Sequence, residues 1–112
     1  MLQCGADSLA GDKIGTHNTT IKGHGECVRF IKNWGLPTMI LGGGGYTIKN
    51  VSRCWGYETG LSVNQSHLDN NLPVNDYYEY YGPEYLLHFN PHEGLASQNS
   101  KEYLDFVKTR CF

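Results

Sequence analysis

Tyr46 closes a run of four glycines, Gly42 to Gly45, in the stretch MILGGGGYTIKN. A phenol can donate one hydrogen bond to an oxyanion that develops during a reaction. Glycines directly before it let backbone come close to a ligand, or take φ > 0 without a Cβ clash. A tight turn with a tyrosine packed over it would use the same residues. Asp7, in LQCGADSLAGD, is the second group of interest. A carboxylate at a strand end can ligate a metal, although a lone aspartate in a Gly-rich stretch more often forms a turn or caps a helix.

Other chemistries find less support. A Walker loop needs Gly-Lys-Ser/Thr where this chain has Tyr46-Thr47, and the dinucleotide pattern G-x-G-x-x-G is not met. There is no G-x-S-x-G elbow, no cysteine with an evident histidine partner, and no carboxylate pair of the glycosidase kind. His17, His24, His67, His88 and His92 show no H-x-x-x-H spacing; His88 and His92 are separated by a proline in a loop. His24 falls on an apolar helix face, which favours a core role. Cys4, Cys27, Cys54 and Cys111 form no C-x-x-C pair and read as reduced, buried thiols of an intracellular protein.

The elements that must position Tyr46 and Asp7 follow from periodicity. Residues 1–18 read as the end of a strand and a loop, an abrupt beginning that suggests a chain cut from a larger one. Residues 19–34 read as a helix, with Thr19 or Thr20 as its cap. Ile21, His24, Cys27, Val28, Ile31 and Trp34 share one face, and Lys22, Glu26, Arg29 and Lys32 face solvent. Residues 38–41, Thr-Met-Ile-Leu, lack alternation and read as a parallel strand buried on both faces. A second helix runs from Thr47 to about Val63. This strand–helix alternation predicts an α/β fold, in which ligands bind beyond the carboxyl ends of the strands. If the two strands are neighbours, Asp7 and Tyr46 emerge on one rim.

Residues 64–76 are polar and turn-prone, and DYYEYYGPEYLLHF reads as a segment lying over the body of the fold. Leu86–Phe89 reads as one more strand, residues 90–99 as a loop, and residues 100–110 as a terminal amphipathic helix.

The chain has 112 residues, a formal net charge of -2 and a sequence pI near 6.2. With no dense Lys/Arg patch, direct nucleic-acid binding is not expected. No apolar run approaches the ~20 residues of a membrane span, and Met1 leads into a polar stretch unlike a signal peptide. Hydrophobic content of 39% is low for a self-sufficient domain.

Taken in order, LQCGADSLAGD, IKGHGECV, LGGGGYTIKNVSRCW, YET and YYEYYGPEY resemble the class I histone deacetylases, with the likeness running from Leu2 to about Tyr103. The resemblance implies that residues 1–112 are the C-terminal third of a zinc-dependent deacetylase catalytic domain, an α/β parallel-sheet fold with flanking helices. By that resemblance Asp7 matches a zinc ligand and Tyr46 the catalytic tyrosine. Gly43, Gly44 and Gly45 match the glycine loop of the substrate tunnel. The implied reaction is hydrolysis of acetyl-lysine on histones or other proteins. The Asp-x-His motif that supplies two further zinc ligands and the His-His acid–base pair have no match here, so the isolated chain is expected to be inactive.

Lys13 and Lys49 stand where the family usually has arginines that grip an inositol phosphate at a corepressor interface. Lysine keeps the charge but loses the bidentate fork. Thr16 and His17 replace a usual Cys-Phe, and Gly25 and Gly56 lie inside predicted helices. Such departures suit a relaxed copy, and the alternative to a deacetylase segment is a non-catalytic remnant serving as an interaction or structural module. An unrelated phosphate-binding α/β domain fits worst, because Tyr46 stands where lysine is needed. The implied location is the nucleus, with the cytoplasm as a second compartment, in a chromatin and transcription-repressor setting.

Overall fold

The computed structural model describes residues 1–65, 67–90 and 96–111. Two strands, β1 (Leu2–Gln3) and β2 (Ile40–Leu41), pair in parallel with Leu2 opposite Ile40 and Gln3 opposite Leu41. Helix α1 (Ile21–Lys32) makes the crossover between them, and α2 (Ile48–Ser62) follows the glycine run. Short 3-10 turns cover Ala6–Ser8 and Tyr78–Tyr81, and α3 (Lys101–Cys111) ends the described chain. The α/β expectation is met.

Local chemistry sets the helix boundaries. Thr20 caps α1, its Oγ1 accepting from the Gly23 N–H at 3.0 Å. Thr47 precedes α2 but turns its hydroxyl elsewhere, donating to the Gly11 carbonyl at 2.7 Å. The core lies where α1 meets α2: Ile21 packs with Val51, Cys54, Tyr57 and Leu61, joined by Ala6 and Leu9 from the Asp7 segment and by Leu87. Each large apolar side chain fully buried there contributes roughly 1.5–3 kcal/mol.

The aromatic segment is fastened by Arg53, a buried cation on α2. Its Nε donates to the Leu86 carbonyl at 2.8 Å and one Nη to the Tyr81 carbonyl at 2.9 Å. The guanidinium also lies over the rings of Tyr81 and Phe89, 4.9 and 4.8 Å from their centroids.

Several expectations are corrected. The residues of β2 are exposed rather than buried on both faces, because among the described residues the sheet has only two strands and α2 faces β2 across an open cleft bordered by Trp55, Glu58 and Thr59. Leu86–Phe89 forms no strand; a single antiparallel bridge joins Leu86 to Asn71. Cys27 and Cys111 are exposed, and only Cys4 and Cys54 are buried. Trp34 lies past the end of α1 and is 59% exposed. On the predicted solvent face, Lys32 instead reaches across to the C-terminal end of α2, donating to Asn64 Oδ1 at 2.8 Å. Helix α3 buries no residue, so its amphipathic pattern meets no core. The expected loop 90–99 and the histidine pair's His92 lie partly outside the described residues.

The helical glycines divide. A Cβ on Gly25 would sit 2.5 Å from Tyr57 Cε1 and 2.9 Å from Leu61 Cδ1, so this glycine lets α1 approach α2 and is no mark of decay. A Cβ on Gly56 would meet nothing within 4 Å.

Two measurements follow. Purified alone, the chain should bind a hydrophobic dye and unfold without a sharp transition, since Trp34, Leu36, Met39, Ile40 and Leu41 are exposed together; a cooperative melt with no dye binding contradicts this. In a folded domain carrying the segment, Gly56→Ala should stabilise by about 0.5–1 kcal/mol. Gly25→Ala should destabilise by about 1–3 kcal/mol through overpacking. Denaturant midpoints check both.

Candidate functional site

The parallel ladder brings Asp7 and the glycine run together. Beyond the strands it continues with the Cys4 N–H donating to Leu41 O at 2.7 Å and the Ala6 N–H to Gly44 O at 2.6 Å. Asp7 stands on the next turn, half-buried. Its carboxylate lies against the backbone of Gly44, where an added Cβ would be 2.1 Å from Oδ2. Gly45 has φ +148, and a Cβ there would strike Val51 Cγ2 at 2.6 Å. Both positions therefore exclude side chains, one through close approach and one through conformation as well. Tyr46 follows, 45% exposed.

Asp12 ties this rim together. Its Oδ1 accepts from the N–H groups of Ile14 and Gly15 at 2.8 and 2.9 Å, and its Oδ2 accepts the Tyr46 N–H at 2.8 Å. The Gly15, Ile14 and Tyr46 amides hold its carboxyl below the usual carboxylate range. Lys13 lies exposed on that loop, and Lys49 lies exposed on the first turn of α2, its Nζ 3.4 Å from the Gly82 carbonyl.

An open cleft of about 540 Å³ runs beside Asp7, bordered by Gln3, Ile14, His17, Thr19 and Cys27. Tyr46 does not line it. The expected candidates thus meet at one rim without forming one closed pocket among the described residues.

Sequence reasoning missed a buried cluster. Among the described residues, the group whose ligand atoms could gather on a metal is His24, Cys54 and Glu58, all within 4.8 Å of one another. Its chemistry argues against a metal. His24 Nδ1 pairs with the Glu58 carboxylate, and Nε2 lies 2.9 Å from the Gly5 carbonyl. Both partners only accept, so both ring nitrogens carry protons and neither has a lone pair to give. The Cys54 side chain, then the Glu58 carboxylate, push the His24 pKa up to about 11 against the opposing effect of burial. Burial pushes the Cys54 thiol up, which disfavours a thiolate ligand. The signal available in sequence was the spacing His24–Val28 with Cys54–Glu58, which puts each pair on one helical face.

Asp7 suits zinc better: it is a carboxylate donor at a strand end, packed against bare backbone. It is one donor, and catalytic zinc sites use three protein ligands.

Two outcomes are expected from this geometry. Purified alone, the chain should carry no stoichiometric zinc at neutral pH; one zinc per chain, lost on Asp7→Asn, would reveal a local site. The second outcome concerns pH. His24 binds its proton more tightly folded than unfolded, so its stabilisation is full below its ordinary value of 6.5 and fades as pH rises toward about 11. The raised Cys4 and Cys54 thiols act in the same direction above their ordinary 9.0. The melting temperature of a domain carrying this segment should fall between about pH 7 and pH 10, and Glu58→Gln should flatten that slope; a flat profile in the unmodified domain contradicts the assignment.

Comparison with known proteins now bears on this geometry. The family model described as the histone deacetylase domain matches residues 1–61. Over 112 residues the chain is 55% identical to a protein named probable histone deacetylase 1-B from Xenopus laevis, covering all of this chain and 23% of that one. It is 54% identical to histone deacetylase HDAC1 of Drosophila melanogaster and 53% identical to histone deacetylase 1 of Homo sapiens, covering 21% and 23% of them. The chain thus spans under a quarter of the length of these relatives. With a strand-end aspartate facing a glycine run that leads into a tyrosine, and a family match across more than half its residues, this chain belongs to the histone deacetylase family.

Proposed function

We propose that residues 1–112 form the C-terminal third of the catalytic domain of a zinc-dependent protein-lysine deacetylase, and that they supply part of its active site. Asp7 would be one of three zinc ligands, and the others would come from outside this chain. Bound there, zinc would polarise the acetyl carbonyl and lower the pKa of a water. The residues of this chain have their own parts. Gly43, Gly44 and Gly45 offer bare backbone to the acyl-lysine stem, and Tyr46 donates its phenolic hydrogen bond to the carbonyl oxygen as negative charge grows. The isolated chain is inactive on this reading.

The observation that supports the reading is the ladder bond from Ala6 N–H to Gly44 O, which sets the Asp7 carboxylate against the backbone two residues before Tyr46. Lys13 and Lys49 suit an anion such as an inositol phosphate beside a corepressor subunit. They flank a junction where Asp12 holds the Tyr46 amide and Thr47 holds the Gly11 carbonyl. The substrate is an acetylated lysine of a histone or another protein. The setting is chromatin and transcriptional repression in the nucleus, with the cytoplasm as a second compartment.

Kinetics on an acetyl-lysine peptide, in a complete catalytic domain carrying this segment, test the assignment. Tyr46→Phe keeps the ring and removes the donor, and should lower kcat by roughly 10²–10³-fold. KM and zinc content should barely change. Asp7→Asn should lose zinc affinity and activity together. A Tyr46→Phe enzyme within a few-fold of the unmodified one would reduce Tyr46 to a packing residue.

A further inference from the structure

The segment Cys4–Ala6, which leads from β1 to Asp7, is gripped from two directions. On the sheet side its N–H groups at Cys4 and Ala6 donate to Leu41 and Gly44. On the helix side its carbonyls are taken by side chains. The Trp55 indole Nε1–H donates to the Cys4 carbonyl at 2.8 Å, and His24 Nε2–H donates to the Gly5 carbonyl at 2.9 Å. His24 comes from α1 and Trp55 from α2. Glu58, one turn further along α2, fixes the His24 ring by pairing with Nδ1.

This arrangement costs more than plain packing. The His24 and Glu58 side chains are only 13% and 4% exposed, and burying such a pair forfeits solvation that an apolar pair would not lose. Apolar side chains could join α1 to α2 equally well. What they cannot do is hold a carbonyl two residues before Asp7 at hydrogen-bonding distance. Charge-assisted bonds of this kind are short and directional.

Resting on the assignment of Asp7 made above, we propose that His24, oriented by Glu58, and Trp55 are positioning residues that fix the Cys4 and Gly5 carbonyls and so aim the Asp7 carboxylate at its zinc ion. His24 also borders the cleft beside Asp7, but its two ring nitrogens are taken by Glu58 and by the Gly5 carbonyl, so it acts through the backbone that carries Asp7. Partners one layer behind a metal ligand typically carry a 10–100-fold effect on metal affinity.

The test uses a complete deacetylase catalytic domain carrying this segment, stripped of metal and titrated with zinc against a competing chelator. The paired variant His24→Phe/Glu58→Leu removes the donor to Gly5 without leaving a buried charge unpaired. It should fold, yet bind zinc about 10–100-fold more weakly. Its kcat should fall while KM for an acetyl-lysine peptide holds. Glu58→Gln should stay close to the unmodified domain, because an amide can donate to Nδ1 while Nε2–H keeps its bond to Gly5. A folded paired variant with unaltered zinc affinity overturns the proposal. Should the paired variant not fold, Trp55→Phe carries the test: it removes the donor to Cys4 and leaves the His24–Glu58 pair intact, and unaltered zinc affinity there overturns the proposal. Asp7→Asn, measured alongside, separates the two levels. If it keeps full zinc affinity, the deacetylase assignment fails and this inference falls with it. If it loses zinc while the other variants keep it, only the positioning role fails.

Discussion

The register of one short parallel ladder governs everything else in this chain. With Gln3 opposite Leu41, the bonds beyond the strand ends run from Cys4 to Leu41 and from Ala6 to Gly44. A slip of one residue would reverse which side chains face the core. Asp7 would then leave the glycine run, and Ala6 and Leu9 would leave the cluster formed with Val51 and Leu61. The glycines at 44 and 45 belong to the same constraint. They permit the close approach that the register imposes, the first toward the Asp7 carboxylate and the second toward Val51.

Around this ladder, polar side chains do what further strands and helices would do in a larger sheet. Asp12 gathers three amide N–H groups, one of them from Tyr46. Thr47 and Asn50 reach back to the carbonyls of Gly11 and Ala10. Such long-range side-chain-to-backbone bonds join loops that share no regular structure. They give the rim a fixed shape although β1 and β2 have only two residues each.

Much of this was legible in sequence. The apolar spacing from Ile21 to Val28 gave α1, Thr20 gave its cap, and the unalternating Met-Ile-Leu before the glycines gave β2. The shared rim of Asp7 and Tyr46 followed from parallel pairing alone. What escaped were features that depend on the partner across an interface. Nothing in the helix pattern singles out Glu58 or Arg53, yet both are buried, because their partners are a histidine and an aromatic segment remote in the chain. Gly25 read as a weak point for the same reason, since Tyr57 and Leu61 cannot be seen from its own helix. Periodicity reports which face is apolar but not whether anything covers it. That is why β2 and α3 are more exposed than their patterns imply.

Arg53 carries a consequence for how the fold comes apart. A guanidinium remains protonated across the whole range a protein experiences, so its hold on the Leu86 and Tyr81 carbonyls does not titrate. His24, whose grip is on the Gly5 carbonyl, can lose a proton. The two latches therefore fail under different stresses. Alkali weakens the side-chain hold on the Gly5 carbonyl, two residues before Asp7, while Arg53 keeps its hold on the Leu86 and Tyr81 carbonyls.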